Sequence, residues 1–208
     1  MLRTRRALAA ALLGLACATS VHVAAAGYKA PAISQDTREL AGWVARAGDN
    51  GAKPFAIVDK KAAHLYVYDA AGKLLGDSPV LLGQAPGDDI APGVGEHAQQ
   101  GAVPFNERTT PAGRFEAEPG INNTGEQVVW VDYDSAFAIH RLRPGRGFRD
   151  REARLASTDM AQRRASSGCV VVPERFYVDV VLRVLGESPS VVYVLPDSGS
   201  ARELLGTL

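Results

Sequence analysis

The chain has 208 residues, 46% of them hydrophobic and 22% charged, with a formal net charge of zero. That length supports one domain with a short extension, and a core that needs no disulfide or metal staple. The balanced charge leaves no electrostatic footprint for nucleic acid or an acidic membrane surface. With neither a dinucleotide-binding glycine pattern nor a phosphate loop, no organic cofactor is expected.

Taken in order, residues 1–26 read as a secretory signal peptide. Met1 to Arg6 is a basic n-region, Ala7 to Ala18 is an apolar run too short for a membrane span, and Ala24-Ala25-Ala26 is a cleavage site. Lipoprotein processing at Cys17 is the rival; it wants an aliphatic residue three positions earlier, where Gly14 stands. Cleavage leaves no transmembrane segment, a single cysteine, Cys169, and three histidines, His64, His97 and His140. Residues 27–52 form an N-terminal appendage, in which Asp36 is placed to cap a short helix carrying Leu40, Trp43 and Val44 on the face that packs.

From residue 53 to 196 the pattern is that of a mostly-β domain. Phe55–Asp59, His64–Asp69, Leu74-Leu75 and Val80–Gly83 read as an antiparallel meander. Residues 84–108, rich in Gly, Pro, Asp and Gln, read as a long surface loop of the kind that often carries function. Strands return at Gly113–Ala117, Val128–Asp132 and Ala136–His140. Residues 141–165 are a second excursion, with eight arginines against three acidic residues. Arg164-Ala165-Ser166-Ser167-Gly168-Cys169 then forms a turn. Behind it comes one helix that Pro173 opens and Gly186 closes, then a buried strand Ser190–Leu195. Residues 197–208 read as a peripheral tail.

The small residues before Cys169 let the backbone turn sharply and aim amides at a developing oxyanion. A buried structural thiol is the competing reading. A lone cysteine in an exported chain cannot close an intramolecular disulfide, and an oxidising compartment penalises an idle exposed thiol, which favours function. A thiol nucleophile needs a base. His140, at the end of an apolar strand with a polar loop after it, is the candidate. His64 reads as structural and His97 as a surface residue. Three scattered histidines and one cysteine do not have metal-ligand spacing, so no metal is expected.

Ser166-Ser167-Gly168-Cys169, the upstream Ile139-His140 and Thr110-Pro111-Ala112-Gly113-Arg114-Phe115 together resemble the L,D-transpeptidase (YkuD-like) catalytic domain. The opening meander fits as well, so the resemblance covers residues 55–196. It implies a β-rich sandwich- or barrel-like fold, a periplasmic or cell-envelope location, and an acyl-enzyme route on peptidoglycan stem peptides in cell-wall cross-linking and cell shape. By that resemblance Cys169 is the nucleophile and His140 the general base. The backbone carbonyl of Arg141 orients the imidazole, and the amides of Ser167, Gly168 and Cys169 hold the oxyanion. The acceptor is a second stem peptide or a cell-wall protein; with water instead, the chain is an L,D-carboxypeptidase.

Three departures stand out. Ser167 replaces the family's histidine before Gly168, Val171 replaces a polar residue two places after the cysteine, and the interval from His140 to Ser166 is about ten residues longer than the family pattern. The longer interval reads as a lid or altered groove wall. Its arginines are either a carboxylate clamp that substitutes for position 171 or a solvated basic loop partly paired with Asp150, Glu152 and Asp159. A non-catalytic peptidoglycan-binding module and a thiol peptidase for L-peptides are the alternative functions.

Overall fold

The computed structural model describes residues 32–206. The segment read as a signal peptide, including Cys17 and the cleavage site, lies outside them, as do the last two residues. The strands are β1 Phe55–Asp59, β2 His64–Tyr68, β3 Leu74–Pro79, β4 Leu82–Gly83, β5 Gly113–Ile121, β6 Gln127–Asp132, β7 Phe137–Arg141, β8 Arg164–Ser166, β9 Val170–Val172 and β10 Ser190–Val194. Eight of them form one mixed sheet in the order β3-β2-β1-β10-β5-β6-β7-β9, and β4 pairs β8. The chain is mostly β, as its pattern predicts.

β5 serves both halves of the sheet. Its residues 113–117 pair with β10, and residues 118–121 pair with β6. The halves turn toward one another, and the bridge between Leu81 and Val171 ties the end of the meander to the far edge strand β9. The sheet therefore curls around one core. Side chains alternate across a strand, so Ala56, Val58, Leu65, Val67, Val192 and Val194 meet Val129, Ile139, Val170 and Val172 inside it. Helix α4 (residues 174–185) adds Phe176, Tyr177, Val181 and Leu185 to that core, with a π-helical stretch at Tyr177–Val181. It follows Pro173 and ends at Gly186.

The other face of β1, β2 and β10 carries Phe55, Ile57, Tyr66, Tyr68, Val191 and Tyr193, which explains why β1 and β10 read as unbroken apolar runs. Helix α1 (Gln35–Ala47) covers that face with Leu40 and Val44. Its N-cap is Ser34, whose hydroxyl accepts from the Thr37 amide, and not Asp36, which lies in the first turn where it faces the helix dipole. The tail is not peripheral. Ala201, in the short helix Ala201–Leu205, is fully buried against the same cluster.

Both long loops carry structure that their polar composition concealed. Residues 84–112 contain helix α2 (Val94–Gln99) and a 3₁₀ turn at Phe105–Glu107. Residues 142–165 contain helix α3 (Phe148–Ala156) and a 3₁₀ turn at Met160–Arg163.

The first of these loops is fastened by Lys60, whose ammonium group is fully buried. It donates to the carbonyls of Gly87 and Thr110 and to Asp88, each at 2.6–2.7 Å, and pairs with Asp197 at 3.3 Å. Asp197 also accepts from the Gly87 amide and from Arg164. Burial pushes the Asp88 carboxyl up, but hydrogen bonds from Lys60 and the Asp197 amide outweigh it and leave it below its usual range. Removing one partner of a buried ion pair strands the other charge. Lys60→Met is therefore expected to cost about 3 kcal/mol in urea unfolding. The Asp88 contribution is present above the ordinary value of 3.8 and lost as pH falls below it. The wild type should thus lose stability in acid more steeply than the variant.

Candidate active site

Cys169 and His140 arrive together because β7 and β9 run parallel, pairing Ile139 with Val170 and His140 with Val171. The thiol immediately precedes β9, so thiol and imidazole sit on adjoining strands at the rim of the sheet. Both line one open groove of about 960 Å³ with Trp130, Tyr133 and Arg143. The His140 Nδ1–H donates to the Arg141 carbonyl at 2.8 Å, which leaves Nε2 as the basic nitrogen. The Arg141 guanidinium bridges Glu126 and Glu174, holding the strand end that supplies this carbonyl against the β5–β6 hairpin and the start of α4.

In the resting structure the thiol points to the Ala136 carbonyl at 3.5 Å, and among the described residues no hydrogen bond joins it to the imidazole. Burial lowers the His140 pKa to about 4, with the Arg143 guanidinium acting in the same direction. Burial also raises the Cys169 thiol, against the Ala138 amide and Arg143, which both favour thiolate. The resting dyad is consequently neutral on both sides.

The nucleophile turn is shaped by two hydroxyls that the sequence reading passed over. Gly168 has φ 131°, a conformation that side chains disfavour, and a Cβ there would lie 2.9 Å from the Thr109 carbonyl. Its own carbonyl accepts from the buried Thr110 hydroxyl at 2.8 Å, and that hydroxyl in turn accepts from the Gly83 amide at 2.8 Å. Thr110 opens the Thr-Pro-x-Gly-x-Phe stretch, so that motif lay in plain view, but not its task. Ser166 Oγ donates to the Cys169 carbonyl at 2.6 Å and accepts from the Gly168 amide at 3.1 Å. The Gly168 amide is therefore already committed, which corrects its placement among the oxyanion donors. Ser167 is exposed and lines the groove.

Val171 has a structural explanation. It is buried with Leu81, Leu142 and Leu155, a satellite core that seats α3 over the edge strand. A polar side chain in that cluster would be desolvated, so Val171 and α3 belong together. The arginines of the excursion divide. Arg163 is buried and donates to the carbonyls of Ala63 and Ser157; Arg154 pairs Asp150; Arg164 pairs Asp197. Arg143 and Arg151 line the groove, Arg143 paired with Glu126 at 2.5 Å and Arg151 donating to the Arg143 and Arg146 carbonyls, and Arg108 joins them from the other loop. Asp159 caps the 3₁₀ turn rather than pairing an arginine. His64 is buried against Asp77 at 2.7 Å, whereas His97 is partly exposed and bonds Glu107 at 2.6 Å. Among the described residues no group of three metal-ligating side chains converges.

No protein-family model and no curated protein matches the chain. Solved structures do, among them L,D-transpeptidases. The catalytic domain of an Enterococcus faecium L,D-transpeptidase is 18% identical over 69% of this chain and 97% of its own, with a TM-score of 0.39. An L,D-transpeptidase from Mycobacterium smegmatis is 16% identical over 68% and 58%, with a TM-score of 0.37. The helical cell shape determining protein Pgp2 from Campylobacter jejuni is 16% identical over 76% and 56%, with a TM-score of 0.44. The chain spans 50% of the length of the first structures it matches. At overlaps this low the functional reading rests on the site's own geometry.

Two outcomes follow from that geometry. Thr110→Val orphans a buried amide and a buried carbonyl and should cost about 3 kcal/mol in chemical unfolding, with Thr110→Ser below about 1 kcal/mol. The pH profile of Cys169 alkylation should place the thiol above its ordinary 9.0, so less thiolate is present at neutral pH than in free cysteine. Arg143→Ala should move that profile further up.

Proposed function

We propose that the chain is an exported cysteine acyltransferase of the L,D-transpeptidase type, acting on peptidoglycan stem peptides in the periplasm or cell envelope. The observation that carries this reading is the oriented dyad. Cys169 ends a fixed turn at the mouth of a groove, and His140 on the adjoining strand has its Nδ1–H committed to Arg141 and Nε2 left basic. The sequence motifs around both residues support it independently.

In this mechanism the thiol proton passes to His140 Nε2 as sulfur attacks the carbonyl that precedes a D-residue. The oxyanion takes the amides of Ser167 and Cys169, since the Gly168 amide serves Ser166. The C–N bond breaks, the departing D-amino acid takes the proton from His140, and a thioester remains on Cys169. An acceptor amine then attacks the thioester, loses its proton to His140, and the proton returns to sulfur. Water in place of the amine gives a free tripeptide acid. Arg143 and Arg151 offer guanidinium groups to the stem-peptide carboxylates, the role that Val171 cannot fill.

A panel of tetrapeptides bearing an L- or a D-residue after the scissile bond tests the reading. Release of the D-residue alone, absent in Cys169→Ala and His140→Ala, is the expected outcome. Cleavage of the L-series would make the protein a thiol peptidase of another kind. Binding without cleavage of either series would make it a peptidoglycan-binding module.

A further inference from the structure

Two arginines of the site share one carboxylate, Glu126, which stands where the β5–β6 hairpin enters β6. Its Oε1 accepts from the Arg141 guanidinium at 2.6 Å, and its Oε2 lies 2.5 Å from Arg143 Nε. Arg141 supplies the carbonyl that takes the His140 Nδ1–H, and Arg143 lines the groove with Cys169. One carboxyl group therefore spans the residue that orients the imidazole and the cation that bears on the thiol. Both charges are partly desolvated, with side-chain exposures of 23% for Glu126 and 39% for Arg143. A pair so placed holds more firmly than one on the open surface.

The hairpin is built to hold that carboxylate still. Asn122 Oδ1 accepts from the Thr124 and Glu126 amides and from the Thr124 hydroxyl, at 2.8–3.0 Å. The Asn122 amide donates to the Glu126 carbonyl at 3.0 Å, and Gly125, at φ 80°, makes the turn between them. On the next residue the Tyr177 hydroxyl, from α4, donates to the Gln127 carbonyl at 2.9 Å. Burial, then the Glu126 charge, pushes that phenol up to about 12, so it stays a neutral donor. Arg143 is held at its other end as well, since its carbonyl accepts from Arg151 of α3 at 3.0 Å. Burial leads the shifts of both dyad members. At His140, Arg143 and Arg141 add to it and Glu126 opposes it; at Cys169, Arg143 favours the thiolate against it.

We propose that Glu126 is a positioning residue for the dyad: it places the Arg143 guanidinium against the thiol and, through Arg141, holds the carbonyl that fixes the imidazole. The proposal rests on the acyl-transfer reading for the reaction that the dyad performs, and adds to it a task for the hairpin. Without the Glu126 charge, Arg143 keeps its backbone tie to Arg151 but its guanidinium is released into the groove. Arg141 then keeps only Glu174, the more exposed of its two partners.

The test is a double-mutant cycle on the full chain, read on the pH midpoint of Cys169 alkylation by iodoacetamide. Arg143→Ala should raise the midpoint in the wild-type background. In folded Glu126→Gln the same substitution should shift it by less than about half as much, and in Glu126→Asp by most of the original amount. A residue that only packs would leave the shifts equal. Equal shifts overturn the proposal, and so does an Arg143→Ala that shifts nothing in the wild type. Glu126→Met, of similar length, takes the place of the glutamine variant if that one does not fold. Glu174→Gln, which removes the other carboxylate from Arg141, should leave the Arg143 shift whole; a loss equal to that in Glu126→Gln overturns the assignment to Glu126. The second readout is the His140 Nδ1–H resonance, assigned by its absence in His140→Gln. Its exchange with water should be about tenfold faster in Glu126→Gln and recover in Glu126→Asp. An unchanged rate overturns the route through Arg141. If the wild type cleaves neither peptide series, the acyl-transfer reading fails, while the cycle still decides whether Glu126 places Arg143.

Discussion

The Thr110 hydroxyl accepts from the Gly83 amide and donates to the Gly168 carbonyl, and through those two bonds the nucleophile turn is fastened to the rest of the sheet. Thr110 is itself held, because its carbonyl is one of the groups that the buried Lys60 ammonium gathers. A charge in the interior thus fixes a loop, the loop fixes a hydroxyl, and the hydroxyl fixes the glycine before Cys169. Each link is a buried polar group with its partner, and the interior makes every such bond expensive to lose. Gly168 takes a positive φ because it lacks a Cβ, and a Cβ there would also lie 2.9 Å from the Thr109 carbonyl, so only glycine suits the position.

Within that frame the dyad is kept neutral by burial, with Arg143 placed where it bears on both members. Its guanidinium holds the imidazole down and favours thiolate at Cys169. A neutral pair also shelters the thiol, since the thiolate is the form that oxidants attack. Val171 forms a seat with Leu142 and Leu155, and α3 sits on that seat above the edge strand. Arg143 and Arg151, on and before α3, face the groove on the same side.

Much of this was legible in the residues. The apolar runs of β1, β2 and β10, the strand that carries His140 and the small-residue turn before Cys169 were each placed by local pattern. What local pattern does not encode is the partner of a polar group far away in sequence. Lys60 reads as an ordinary turn lysine until Asp88, Thr110 and Asp197 converge on it. Asp197 reads as a tail residue for the same reason. Helices α2 and α3 were hidden because they are short, polar and open at glycines rather than at side-chain caps. The Gly168 amide looked free because its acceptor, Ser166, is a neighbour whose hydroxyl has several places to point.

The most direct test of the account is the intact mass of the protein after brief exposure to a disaccharide-tetrapeptide, beside Cys169→Ala and His140→Ala. The account predicts a covalent adduct on Cys169 with the mass of the acyl tripeptide, formed with loss of the terminal D-residue, absent without the thiol and strongly slowed without the imidazole. A wild-type protein that binds the peptide and gains no mass would contradict it, and would mark Cys169 and His140 as an assembled dyad that performs no acyl transfer.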